Sequence, residues 1–194
     1  MSKDVIVRCR WCLGHALSVE YHDTEWGVPL HDDTKLFEFL VLDAAQAGLN
    51  WLMILKKREN YRAAFDNYDA QKIARYREAR IQKLLSNPGI VRNQLKVRSA
   101  VTNAKAFLKV REERGSFDKY IWEFVDGKPV VSRFAKESQI PAKTKSAEAM
   151  SKDMKSRGFA FCGPTICYAF MQAAGLVNDH TVDCFRHAEV GRTR

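Results

Sequence analysis

Apolar positions recur through most of the chain at the three-to-four-residue spacing that gathers side chains on one face of a helix. Residues 34–47, TKLFEFLVLDAAQA, follow Asp32 and Asp33, whose side chains suit the free N–H groups of a helix start, and set Leu36, Leu40, Asp43 and Ala47 along one stripe. Gly48 ends that helix. A second is predicted from Trp51 to Phe65, with Trp51, Ile54, Leu55, Tyr61 and Phe65 on one side and Lys56, Lys57 and Arg58 on the wet one. Asp69 is placed to cap a short third. Glu78–Ser86 and Val91–Val110 are helical in composition and are joined only by Asn87-Pro88-Gly89-Ile90, which predicts a tight helical hairpin with Gly89 in a left-handed backbone. Ser116 opens a helix carrying Phe117, Ile121, Trp122 and Phe124, closed by Asp126-Gly127. Residues 128–143 hold Pro129 and Pro141 without a clean period and read as a connecting loop. Helices then run over Ser146–Ser156, ending near Gly158, and Thr165–Ala174, behind a first-turn Pro164 and before Gly175. Alternation is confined to Val130-Val131, so the fold class is all-α.

Composition sets the bounds. A chain of 194 residues, 46% hydrophobic, buries a full core without a metal or disulfide merely to fold. The opening MSKDVIVRCR lacks the apolar run of a signal peptide, and no stretch approaches the ~20 apolar residues of a membrane span, so a cytoplasmic protein without a membrane partner is expected. Five cysteines, an odd number, then point to reduced thiols or metal ligands. The formal charge of +9 is spread through the chain and makes a polyanionic partner worth testing, although solvated basic faces are equally common.

Three constellations carry candidate chemistry. The hairpin would turn backbone N–H groups and a helix N-terminus outward to a phosphate, reinforced by Arg92, Lys96 and Arg98; its plainer alternative is an ordinary helical corner. Asp43 falls on the face its helix should bury, where a carboxylate persists only if hydrogen-bonded, ion-paired or open to a cationic ligand; the plainer alternative is an Asp turned to water at the helix end. Tyr21, Trp26 and Trp51 flank that helix and offer flat faces on which a cation sits well, although core packing should claim at least one of them outright. Cys9, Cys12, His15 and His22 near one terminus and His180, Cys184 and His187 near the other include the soft ligands of a tetrahedral zinc site, with His180 and Cys184 spaced to share a helix face. The H-x-E and P-C-x-x-C pattern of a zinc deaminase is absent, and Cys162 and Cys167 read as core.

The blocks YHDTEWGVPLHDD, QAGLNWLMILKKRENYRAAF, NPGIVRN and RGFAFCGPTICYAFMQAAGLVNDH go beyond generic helices. Together, from about Cys9 to Cys184, they resemble the DNA-3-methyladenine glycosylase I family, constitutive bacterial enzymes of the helix-hairpin-helix glycosylase superfamily. The resemblance implies a two-lobed helix-hairpin-helix fold and one glycosylase domain over 1–194. Segments 1–30 and 160–190 would form one lobe stapled by a structural Zn2+, with the hairpin at about 70–110. It implies Cys9, His22, His180 and Cys184 as zinc ligands, with Cys12 the substitute for Cys9. The base pocket maps onto Tyr21, Asp43 and Trp51, with Trp11 and Trp26 close by. The DNA-contacting positions are Gln46, Ala47, Gly48 and Leu49 in an intercalating turn, and Gly89, Arg92 and Lys96 at the hairpin.

Two departures stand out. The acidic pocket residue is typically Glu in a block like EGAQAGLSW, whereas DAAQAGLNW here makes it one methylene shorter; and HALSVE stands where the family shows Asp-Pro-Leu and an aromatic, so that Ser18 widens the pocket. The expected activity is hydrolysis of the N-glycosidic bond of 3-methyladenine in double-stranded DNA, by a monomer that flips the base, with Asp43 as the recognising carboxylate, Tyr21 and Trp51 as stacking walls and Leu49 as wedge. The alternatives are a paralogue excising another alkylated purine and a non-catalytic, zinc-stabilised protein that binds damaged DNA.

Overall fold

The computed structural model describes residues 6–191; the first five residues of the expected N-terminal lobe lie outside it. Among the described residues ten α-helices run in order: α1 (Ala16–Thr24), α2 (Asp33–Gln46), α3 (Trp51–Ala64), α4 (Ala70–Ile73), α5 (Glu78–Leu85), α6 (Gln94–Arg114), α7 (Phe117–Trp122), α8 (Lys145–Ser156), α9 (Pro164–Ala173) and α10 (Phe185–Val190). Among the described residues none is long and apolar enough to cross a membrane.

Polar caps start several of these helices where the sequence places them. Asp32 accepts from Lys35 N–H at 2.8 Å, Asp69 from Gln71 and Lys72, and Ser116 from Lys119. At the hairpin a boundary moves. The second helix of the hairpin begins at Gln94 rather than Val91, because Asn93 caps it by accepting from Lys96 N–H. The structure is also not purely helical: Val130–Val131 pairs in parallel with Val177–Asn178, a partner too short to leave a periodic trace.

The central element is α2, buried nearly all round through Leu36, Phe37, Phe39, Leu40, Val41, Leu42, Ala44 and Ala45, and packed on α3, α6, α7 and α9. One connected apolar cluster runs from Cys9 to Cys184. Cys162 and Cys167 lie within it. Glu38, also on α2 and 2% exposed, receives Arg58 and Arg62 from α3, and Arg58 reaches on to Glu25 just past α1. The end of α1 and the first half of α2 are thereby fixed against the helix that begins at Trp51.

The hairpin departs from expectation in its backbone. Gly89 is not left-handed; a Cβ there would lie 3.0 Å from Asn60 and from Asn87 Oδ1, so the glycine answers a close approach to α3. Its N–H donates to Asn87 Oδ1, Val91 N–H donates to the Tyr61 hydroxyl, and Lys57 Nζ donates to Pro88 O. These two N–H groups are therefore taken up inside the protein instead of turning outward to phosphate.

Candidate base pocket and metal centre

Asp43 sits in the last turn of α2, 3% exposed, at a cavity of about 340 Å3. Around it stand Trp11, from a 3-10 turn at Arg10–Cys12, Tyr21 of α1, Trp26, Gln46, and Trp51 from the first turn of α3. The rings lean on one another as a wall: Trp11 and Trp26 at 5.0 Å, Tyr21 and Trp51 at 5.2 Å, Trp11 and Tyr21 at 6.3 Å between centroids. All three aromatics read from the flanks of α2 line the cavity, so the expectation that one is purely structural fails. Trp26 does both, since its carbonyl also accepts from His180 Nε2 at 2.9 Å.

The site's electrostatics follow from what is missing. Among the described residues Asp43 Oδ2, Trp11 Nε1 and Trp51 Nε1 are buried without a hydrogen-bond partner, and all three residues line the same cavity. Unsatisfied buried polar atoms are rare and costly, and three at one cavity mark a place completed by something else. Among the described residues no cation offsets Asp43, and burial pushes its carboxyl well above the usual carboxylate range. Burial, and then the Asp43 charge, raise the Tyr21 phenol as well.

Five further lining residues were not found by sequence reasoning: Glu137, Ile140, Ala169, Gln172 and Ala173. Ala169 and Ala173 stand one helical turn apart on α9, and that small-residue spacing within the last quoted block was the available signal. Glu137 and Ile140 come from the stretch read as plain connection, which carries no period.

The turn after α2 is built tightly. Gly48 takes φ +74°, Leu49 N–H donates to Gln46 O, and Gln46 Nε2 donates to Leu49 O, leaving Leu49 half-buried at its edge. Lys96, expected at a phosphate, instead donates to the carbonyls of Ala45 and Ala47 at 2.8 and 2.7 Å, and its partial burial lowers its pKa. Arg98, the other reinforcing cation, is paired with Glu78. Exposed Arg92 has no ion-pair partner among the described residues. Ser18 is buried and does not line the cavity, so the widening expected of it is absent.

Behind the aromatic wall, Cys9, His22, His180 and Cys184 converge, fully buried, with ligand atoms within 4.8 Å of one another. Cys184 Sγ lies 3.4 Å from His22 Nε2 and 3.5 Å from His180 Nδ1; the imidazole nitrogens are 3.2 Å apart, and Cys9 Sγ is 3.6 Å from His180 Nδ1. A tetrahedral zinc, with bonds of about 2.0 Å to nitrogen and 2.3 Å to sulfur, has edges of roughly 3.3–3.8 Å, so the donors fit such an ion. Each imidazole also has an outer partner, Asp23 on His22 Nδ1 at 2.7 Å and the Trp26 carbonyl on His180 Nε2. A hydrogen bond from Cys9, and then from the two histidines, holds the Cys184 thiol far below its usual range. Cys12 is excluded from the cluster, its thiol donating to the Cys9 carbonyl, and His15 caps α1. His180 and Cys184 come together on a turn preceding α10 rather than along a helix face.

The methyladenine glycosylase family model matches residues 11–187. The chain is 46% identical over 177 residues to DNA-3-methyladenine glycosylase 1 of Escherichia coli (strain K12), spanning 91% of this chain and 95% of that protein. It superposes on a crystal structure of 3-methyladenine DNA glycosylase I with a TM-score of 0.90 at 47% identity, covering 92% of this chain and 98% of the other. A variant of such an enzyme in complex with 3-methyladenine superposes with a TM-score of 0.89 at 36% identity, over 92% and 96% of the two chains.

Proposed function

Because the chain belongs to the methyladenine glycosylase family, we propose that it excises 3-methyladenine from alkylated DNA by hydrolysing the bond between the base and deoxyribose. The observation that carries the reading is the aromatic cavity with an unpartnered carboxylate at its edge. Alkylation at N3 makes the base a cation and a good leaving group. When the C1′–N9 bond breaks, its electron pair goes to the base, which departs neutral; a water oxygen bonds C1′ and its proton passes to solvent. The protein's share is extrusion, a few kcal/mol, and stabilisation of charge in the pocket.

Asp43 discriminates by charge. A cationic base restores its ionised form and gains the full Coulomb attraction in a low-dielectric site, whereas a neutral adenine leaves the carboxyl protonated and gains little. Tyr21, Trp51, Trp11 and Trp26 supply the faces against which a flat cation rests. Leu49 is the wedge that fills the vacated stack, on the turn that Gly48 permits and Lys96 braces, while Gln46 reaches into the pocket. At the hairpin, where the Gly89 and Val91 N–H groups are already taken up, the exposed Arg92 holds the phosphate backbone of the duplex without reading sequence. One copy of the chain carries every pocket residue, in keeping with a monomer acting on double-stranded DNA.

Cys9, His22, His180 and Cys184 would hold a structural Zn2+ that ties the two termini into one lobe of a single domain; its closed four-donor set leaves no position for a reacting water. Trp11 and Trp26 adjoin that staple, which supports the pocket wall.

The test is release of free base from methylated duplex DNA, with 3-methyladenine, 3-methylguanine and 7-methylguanine resolved. Preferential 3-methyladenine release is expected. Preference for another purine would point to a shifted substrate following from the shorter carboxylate, and binding to damaged duplex without release of any base would refute catalysis.

A further inference from the structure

We propose that Glu137 is a second specificity-determining carboxylate of the base pocket, selecting a cationic over a neutral purine together with Asp43; the proposal rests on the excision reading above and deepens it. Glu137 lines the cavity beside Trp11 and Ile140. It comes from a 3-10 turn, Glu137–Gln139, within the long connection between α7 and α8, so a segment remote in sequence from α2 delivers it to the pocket. Its Oε1 accepts from the Trp11 backbone N–H at 3.0 Å, which locks the carboxylate against the turn that carries an indole of the aromatic wall.

That hydrogen bond accounts for one oxygen and leaves the charge. Glu137 takes part in no ion pair among the described residues, although Arg8, Arg10 and Lys136 line a second cavity on its other flank. Arg8 is held by Asp23. A carboxylate fixed by a backbone amide and free of a paired cation keeps its field for whatever fills the neighbouring cavity. A cation in that cavity then meets negative charge from both Asp43 and Glu137. This also gives the shorter side chain at position 43 a physical complement: charge supplied by a residue from another part of the fold.

The plainer role for Glu137 is to pin the Trp11 turn. Glu137→Gln separates the two, because the amide oxygen still accepts from Trp11 N–H while the charge is gone. Binding of a permanent cation, 3,9-dimethyladeninium, and of neutral 9-methyladenine would be followed through quenching of indole fluorescence, with melting temperature and metal content recorded for each variant. E137Q is expected to lose on the order of tenfold in affinity for the cation, as one charge at this range in a partly screened site implies, with binding of the neutral base unchanged. Glu137→Asp, which keeps the charge, is expected to retain most of the cation preference. An equal loss for both ligands, or no loss for either, would overturn the proposal. These measurements need no DNA and no turnover, so a parent protein that released no 3-methyladenine would refute excision and still leave the Glu137 comparison decisive.

Discussion

Asp43 destabilises the folded chain whenever it is ionised. Its folded carboxyl binds a proton more tightly than the unfolded one, so stability falls as pH rises from the ordinary carboxylate value, 3.8, through the raised folded value. Asp43→Asn should therefore melt higher than the parent at about pH 8 and nearly level with it at about pH 4, because the neutral amide carries no such penalty; a constant offset between the two melting curves across that span would contradict the burial argument. The burial of Asp43 was legible in the sequence because seven residues separate it from Leu36 and three from Leu40, both on the packed side of α2. Lys96 was misread for a different reason: a basic residue beside a hairpin looks like a phosphate contact until the fold reveals which carbonyls surround its ammonium. Glu137 was out of reach altogether, since an aperiodic loop does not announce where it docks.

At the scale of elements, two glycines with positive φ divide by what surrounds them. A Cβ at Gly48 meets nothing within 4 Å, so Gly48→Ala should cost only the left-handed backbone penalty, about 1–2 kcal/mol. A Cβ at Gly175, where α9 ends, would fall 2.2 Å from the Val28 carbonyl carbon and 2.4 Å from Pro29 N. Gly175→Ala adds a backbone clash to the same penalty and should lower the melting temperature by roughly 10 °C, measured by thermal unfolding. The hairpin cations part in a similar way. Arg92→Ala is expected to reduce the salt dependence of duplex binding by about 0.9 in the log–log slope, the loss of one phosphate contact, and Lys96→Met to leave that slope unchanged; titrations at several salt concentrations decide both. Helix starts were readable because Asp32, Asp69 and Ser116 cap by local hydrogen bonds. The strand at Val177–Asn178 was not, because a two-residue pairing depends on a partner more than forty residues away.

The whole molecule depends on joining segments far apart in the chain. Cys9 and His22 from one end and His180 and Cys184 from the other fit a single tetrahedral ion, and Trp11 and Trp26 lie against His22 at ring separations of 5.5 and 6.2 Å. Purified protein should carry about one equivalent of zinc, and Cys184→Ser should lose it and melt lower by roughly 10 °C; elemental analysis together with thermal unfolding checks this, and a metal-free native protein of undiminished stability would rule the staple out. Spacing alone left seven candidate ligands open, and resemblance narrowed them to the four that the fold brings together. The pocket itself draws on α1, α2, α3, α9 and three segments outside the α-helices, which explains why its aromatic half was traceable beside α2 and its wall at Glu137 and Ile140 was not. The most direct test of the account is single-turnover release of 3-methyladenine from methylated duplex by Asp43→Asn beside the parent, with duplex affinity measured in parallel. The account predicts unchanged affinity and release slowed at least about tenfold, as loss of one buried charge facing a cation requires; release at the parental rate would contradict it.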